Sequence, residues 1–230
     1  MERTVINAEA VAWLEGQPVQ TGCSFITSLP DVSEVSLPLE AWKEWFSKAV
    51  SLILSRLPED GVAIFFQTDI KHEGTWVDKG YLCQKAAEQS GVPLLWHKVV
   101  CRQPAGNTGY GRPAYSHLLC FSRGVRAEIS RSTCDVLPKA GEVTWTRGMG
   151  AAACRAACRF VLESTATRTI IDPFCGHGTV LAVANELGLN AIGVELGAKR
   201  ARVARDLTYA KLTGKKLPGA TPIIQQELAP

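Results

Sequence analysis

The sequence has no apolar run of the roughly 18 residues that a membrane span needs; its longest, such as Gly61–Phe66, are strand-sized. It has no C-x-x-C pair, and none of His72, His97, His117 and His177 has zinc-ligand spacing around it, so no metal is expected. Charge of one sign is scarce: Lys+Arg 25 against Asp+Glu 22 leaves a net +3, too small to argue for nucleic acid by itself. No internal repeat and no low-complexity segment is present. Met1–Leu14 carries Glu2, Arg3 and Glu9 and has no apolar signal region, which points to an intracellular protein, cytoplasmic or nuclear, neither secreted nor membrane-bound.

What is present is ample for a core. Of 230 residues, 46% are hydrophobic, which excludes disorder, and the 20 Gly and 12 Pro are scattered without a period. The eight cysteines do not form a disulfide framework in a chain of this length. Cys23, Cys101, Cys120 and Cys175 lie among apolar strand-like residues, and Cys154 and Cys158 are one helical turn apart. They read as reduced, mostly buried thiols.

Apolar, β-branched-rich stretches at Gly22–Ser28, Gly61–Thr68, Leu94–Cys101, Ser116–Ser122, Thr169–Asp172 and Ala191–Glu195 predict strands, with a seventh at Thr221–Gln225. Between them lie helical patterns. Leu39–Leu57 follows Pro38 with an apolar stripe through Trp42, Trp45, Phe46, Val50 and Leu54. Tyr81–Ser90 stops before Gly91 and Pro93, Met149–Ser164 is Ala-rich, Thr179–Leu187 ends at Gly188, and Leu196–Leu212 is long and basic. Strands alternating with helices imply βαβ units and a mostly parallel sheet, an α/β fold with helices on both faces. Arg102–Tyr115 is too rich in Gly and Pro for regular structure, and Gly124–Thr146 is polar and mixed; both suit the rim of a rigid sheet.

The informative window is Thr169–Glu195. A short strand runs into Asp172, then a turn holding Gly176 and Gly178, then a helix from about Thr179; a second strand ends at Glu195. This is the mononucleotide-binding half of a doubly wound sheet. The glycines permit a tight turn and close ligand approach. Glu195 at a strand end can accept hydrogen bonds from a ribose diol, and Asp172 suits a cationic group. A dinucleotide would set its pyrophosphate beside that acid, and the third glycine position is Leu181. There is no G-x-x-x-x-G-K-[ST]. A ligand with an ammonium and a ribose but no phosphate fits: S-adenosyl-L-methionine.

The run Asp172–Thr179, with Pro173, Phe174, Cys175, Gly176 and Gly178, resembles the cofactor motif of S-adenosylmethionine-dependent methyltransferases, in the form carried by those that methylate base amines in DNA or RNA. Members with permuted order place that motif after the catalytic strands, as here. The resemblance extends upstream to Trp145–Gly148, which in the family closes over the methionine end of the cofactor and so implicates Trp145 and Arg147. It continues downstream through Glu195 into the Lys199–Arg205 helix. Ile26–Asp31 (ITSLPD) stands where the family has [DNS]-P-P-[aromatic].

The resemblance implies a Rossmann-like methyltransferase fold with a mostly parallel seven-stranded sheet in circularly permuted order. It implies one domain over 1–230, divided into a catalytic and substrate half at 1–123, a linker at 124–147 and a cofactor half at 148–230. Carried over by position, Ser28 supplies a side-chain acceptor for the hydrogens of a poorly nucleophilic base amine, the Leu29 carbonyl a second acceptor, and Pro30 the turn. Asp31 departs from the family, since a carboxylate cannot stack on a base but can take a proton.

Asp69 and Lys71, at the expected end of the next strand, and Arg102, Tyr110 and Arg112, in the Gly/Pro-rich loop, are candidate substrate contacts. With only about 23 residues between the halves there is little room for a duplex-reading domain, so the expected acceptor is a base in structured RNA, tRNA or rRNA, with a protein partner as another source of specificity. The alternatives are a protein or small-molecule methyltransferase and a catalytically silent scaffold.

Overall fold

A computed structural model describes residues 1–109, 111–126 and 134–214. Tyr110 and the expected strand Thr221–Gln225 lie outside the described residues.

In chain order the elements are β1 Arg3–Asn7, α1 Ala10–Glu15, β2 Cys23–Thr27, α2 Val32–Val35, α3 Leu39–Ser55, β3 Ala63–Gln67, β4 Ile70–His72, β5 Thr75–Val77, α4 Lys79–Gln89, β6 Leu94–Cys101, β7 Tyr115–Phe121, β8 Val136–Leu137, α5 Ala151–Ser164, β9 Thr169–Asp172, α6 Thr179–Glu186, β10 Asn190–Glu195, α7 Ala198–Asp206 and α8 Tyr209–Thr213. Eight strands form one sheet in the order β1-β10-β9-β2-β3-β7-β6-β8, and β4 with β5 forms a separate hairpin. Within the large sheet β7 runs antiparallel to both neighbours, and every other pairing is parallel.

The six strands that the sequence predicts within the described residues all form, within two residues at either end. Among the described residues the sheet nevertheless has eight strands rather than the expected seven: those six, and one more at each edge. Arg3–Asn7 pairs with β10 through a register from Arg3–Ala191 to Asn7–Glu195. Its polar alternation suits an edge strand and gives no continuous apolar run. Val136–Leu137 adds a two-residue strand beside β6. The expected helix Leu196–Leu212 is two helices: the chain leaves α7 at Leu207, and the Thr208 hydroxyl accepts from the Lys211 N–H at 3.2 Å to begin α8.

The core lies in two layers, one on each face of the sheet. On one face the apolar stripe of α3 (Trp42, Phe46, Val50, Ile53, Leu54) packs with Leu14 of α1, Cys83 and Ala86 of α4, and Phe25, Phe65 and Leu119 of the strands. On the other, the small residues of α5 (Ala153, Cys154, Ala157, Cys158) and Ala201 and Ala204 of α7 pack with Leu181, Val183, Ile26, Ile64 and Ile170. Every residue of β2 and of β3 is buried, as central strands covered on both faces require. All eight cysteines are free.

Strand order reverses between β9 and β2. From β9 the chain moves through α6 to β10 on one side, and from β2 through α3 to β3 on the other. The two neighbours pair in parallel from Cys23–Thr169 to Phe25–Ile171, so their C-terminal ends, Asp172 and Thr27, sit side by side. A crevice at such a reversal is where open α/β sheets bind ligands.

Candidate active site

A cavity of about 480 Å³ opens at this reversal. One wall is the turn after β2, Ser28 to Asp31; the other is the turn after β9, Asp172 to His177, with Thr179 behind it. The two turns are joined by a buried hydrogen bond from the Thr27 hydroxyl to Asp172 Oδ1 at 2.6 Å. Asp172 also accepts the Phe174 N–H at 3.2 Å. Burial pushes its carboxyl up to about 7, against the pull of those two donors and with some help from the charge of Glu195.

The glycines of the turn do different work. Gly176 lines the cavity at φ +53, and a Cβ there would meet no atom within 4 Å. Gly178 does not line it: at φ +83 its missing Cβ would lie 2.8 Å from the Ala204 Cα and 2.9 Å from its Cβ. Gly178 therefore lets α7 approach the start of α6. Cys175 lines the cavity as a buried thiol that burial holds well above its ordinary pKa.

Glu195, at the end of β10, is buried at the cavity wall. Its Oε1 accepts from the Gly197 N–H at 2.7 Å and Arg200 Nε at 2.8 Å, and its Oε2 from the Gly176 N–H at 3.1 Å. Trp145 and His177 line the cavity with ring centroids 6.2 Å apart, and Trp45 meets Phe174 edge-on at 5.9 Å. Arg147 also lines it and donates to the Ser33 hydroxyl at 3.0 Å. Two buried carboxylates flanking a glycine turn, with aromatic rings close by, suit a ligand carrying an ammonium and a ribose and would repel a pyrophosphate.

The catalytic-turn candidates divide. Ser28 lines the cavity half-buried, and its hydroxyl takes no hydrogen-bond partner among the described residues. Pro30 is fixed by the Trp42 indole N–H, which donates to its carbonyl at 3.2 Å. Asp31 is 5% exposed and doubly ion-paired, to Lys79 Nζ at 2.6 Å and to the guanidinium of Arg112. Burial raises its pKa, but the two cations outweigh burial and hold it below the ordinary carboxylate value. A carboxylate so stabilised is a poor proton acceptor, so its geometry is that of an electrostatic anchor.

Of the substrate candidates among the described residues, Arg112 lines the cavity and Asp69, Lys71 and Arg102 do not. Arg102 is turned to the Thr68 hydroxyl at 3.2 Å and the Thr146 carbonyl at 3.0 Å. Asp69 is 1% exposed and serves as a structural hub. Its Oδ1 accepts the Lys79 N–H at 2.8 Å, and its Oδ2 accepts the Trp76 indole N–H at 3.3 Å and pairs with His117 Nε2 at 3.0 Å, while His117 Nδ1 bonds His97 Nε2 at 2.9 Å. Lys71 stands on the hairpin, its ammonium 5.5 Å from the Trp76 ring. Asp69, Asp78 and His117 bring three possible metal-ligand atoms within 4.8 Å of one another, with both oxygens of Asp69 already engaged as described.

Sequence reasoning missed Lys79, Glu9, Trp45 and Arg200, all of which line the cavity. Lys79 is 2% exposed, and nothing in the sequence marks a lysine at a helix start for burial. Asp78, which caps α4 by accepting the Tyr81 N–H at 2.7 Å, was the available sign that the helix begins at 79 rather than 81.

A sequence profile described as DNA methylase matches residues 157–206, the stretch from within α5 through α7 that contains the Asp172–Thr179 motif. No curated protein matches the chain by sequence. A candidate DNA modification methylase of Thermus thermophilus, solved with S-adenosyl-L-methionine, superposes with a TM-score of 0.70 at 16% identity, covering 96% of this chain and 100% of its own. The cytosine-N4-specific PvuII DNA methyltransferase gives 0.71 at 12% identity over 91% and 88%. M1.HpyAVI, also in complex with SAM, gives 0.59 at 14% over 88% and 98%. The chain has the Rossmann-like fold of these methyltransferases. Two of the three are named for DNA, and the expected RNA acceptor has no counterpart among them.

Proposed function

We propose that this chain transfers a methyl group from S-adenosyl-L-methionine to a base of a nucleic acid, with DNA as the polymer that the names of the similar proteins favour. The observation that carries the reading is the Thr27–Asp172 hydrogen bond, which fixes the catalytic turn and the cofactor turn as two walls of one cavity. When bound, the donor supplies an electrophilic sulfonium methyl for in-line displacement. The protein's task is to position the acceptor and drain charge from it.

Asp172 receives the ammonium of the donor's amino-acid end, and Glu195 its ribose diol. Arg200, whose side chain is 43% exposed, is the partner of Glu195 free to swing away. The Ser28 hydroxyl and the Leu29 carbonyl accept the hydrogens of an exocyclic amine and so localise its lone pair. Asp31 holds Arg112 at the cavity wall. Its depressed pKa favours an amine acceptor, activated by hydrogen bonding alone, over an acidic group that must first lose its proton.

The test is incubation with labelled donor and separate DNA, tRNA, rRNA, protein and metabolite fractions, followed by nucleoside mass analysis. Label in a DNA base is the expected result. Label in an RNA base keeps the chemistry and moves the polymer; label confined to protein or metabolites, or donor binding with no transfer, overturns the reading.

A further inference from the structure

The hairpin β4–β5 takes no part in the large sheet, yet the residues at its two roots do line the cavity: Thr68 precedes it and Lys79 follows it. It therefore stands beside the cavity, although residues 70–77 themselves do not line it. Its inner pair, Ile70 and Val77, is buried in the core on the α3 side, which anchors it. Its outer pair, Lys71 and Trp76, are cross-strand partners and both exposed, the indole at 44%. Asp69 pins that indole in place through its N–H, and the Lys71 ammonium lies over the ring 5.5 Å from its centroid, a cation that a phosphate can draw off as a base takes the ring.

We propose that this outer pair is a contact surface for the nucleic-acid strand that flanks the target nucleotide. Trp76 stacks on an unpaired neighbouring base, and Lys71 neutralises one backbone phosphate. The inference rests on the proposed function and names where its polymer lies. A rigid indole is a sequence-tolerant platform for any base face, and its polar edge is already satisfied by Asp69, so a base can cover it without leaving a buried donor unpaired. Lys71, exposed beside the indole, supplies the cation for a phosphate, while Arg112 on the cavity wall is already paired with Asp31, and Glu73 at the hairpin tip and Asp78 at its root disfavour a phosphate there.

The test is fluorescence anisotropy with a labelled oligodeoxynucleotide across a salt series, together with methyl-transfer kinetics, on the full chain and on Trp76→Ala, Trp76→Phe and Lys71→Ala. Trp76→Ala should weaken oligonucleotide binding and raise KM about tenfold at unchanged kcat and cofactor affinity. Trp76→Phe, which keeps a ring, should recover most of that. Lys71→Ala should reduce the slope of log affinity against log salt by about one. Wild-type transfer to nucleic acid with all three variants unchanged in KM and salt slope would overturn the hairpin surface and leave the proposed function standing. A wild-type chain that neither binds nor methylates the polymer removes both.

Discussion

At the scale of single residues, the site turns on two carboxylates whose surroundings push them in opposite directions. Asp172, raised from 3.8 to about 7 chiefly by burial, gives the free protein stability that is fully present below pH 4 and is lost as pH rises through about 7. Binding a cation there reverses the preference, because the ammonium favours the ionised form. Donor affinity should therefore fall as pH drops below about 7, by up to about tenfold per unit, and binding near pH 6 should release a proton. Titration calorimetry in two buffers of different ionisation enthalpy measures both, and Asp172→Asn should lose affinity together with its pH dependence. Asp31 is the opposite case, a buried carboxylate held ionised by Lys79 and Arg112. Asp31→Ala leaves Lys79 buried without its partner and should cost about 3–5 kcal/mol in urea unfolding, whereas the double variant Asp31→Leu with Lys79→Met should cost clearly less. Equal losses in the two would show that the pair is not what Asp31 maintains. That Asp31 stands at the cavity wall was legible from its place in the SLPD turn. Its role was not, because the two cations come from residues 48 and 81 positions away and only the fold brings them together.

At the scale of elements, the strand–turn–helix around Asp172 was readable almost to the residue, because an apolar run, an acid and two glycines each leave a local signature. What the motif could not separate was which glycine faces the ligand. Gly176 borders the cavity and Gly178 borders α7, so their substitutions should dissociate affinity from stability. Gly178→Ala forces a Cβ into the Ala204 backbone at an unfavourable φ and should lower stability by about 1–3 kcal/mol, with normal donor affinity in the fraction that folds. Gly176→Val has open space around its Cβ but sets a β-branched residue at φ +53, so it too should cost stability; what distinguishes it is weakened donor binding, because it places bulk on the cavity wall. Thermal melting with and without donor distinguishes them: Gly176→Val should lose most of the ligand-induced shift, and Gly178→Ala should keep it from a lower baseline. The hairpin β4–β5 illustrates the converse. Three-residue strands carry too little periodicity to be seen in sequence, and their pairing is set by Ile70 and Val77 meeting a core formed by distant helices.

At the scale of the whole molecule, the order of strands was the least accessible feature, because it depends on pairings between the two ends of the described chain. β1 closes the sheet beside β10, nearly 190 residues away, and its first residue is the fastener. Arg3 Nε donates to Asn185 Oδ1 at 2.7 Å on α6, and its Nη1 reaches the Ala204 carbonyl at 3.0 Å and that of Leu207 where α7 ends. Arg205 of α7 returns a hydrogen bond to the Val5 carbonyl at 3.1 Å. A guanidinium at a helix C-terminus satisfies carbonyls that have no intrahelical donor and lies favourably in the helix dipole, so Arg3 joins β1, α6 and α7 in one contact. Arg3→Ala should then lower stability by about 2–3 kcal/mol, and Arg3→Lys should recover only part of it, because one ammonium cannot reach an amide on α6 and two carbonyls on α7 together. Urea unfolding of the three proteins measures this. If Arg3→Ala unfolds at the wild-type midpoint, β1 is held by its strand pairing alone. If lysine restores the midpoint fully, charge at the end of α7 suffices and the branched contact with α6 carries no weight.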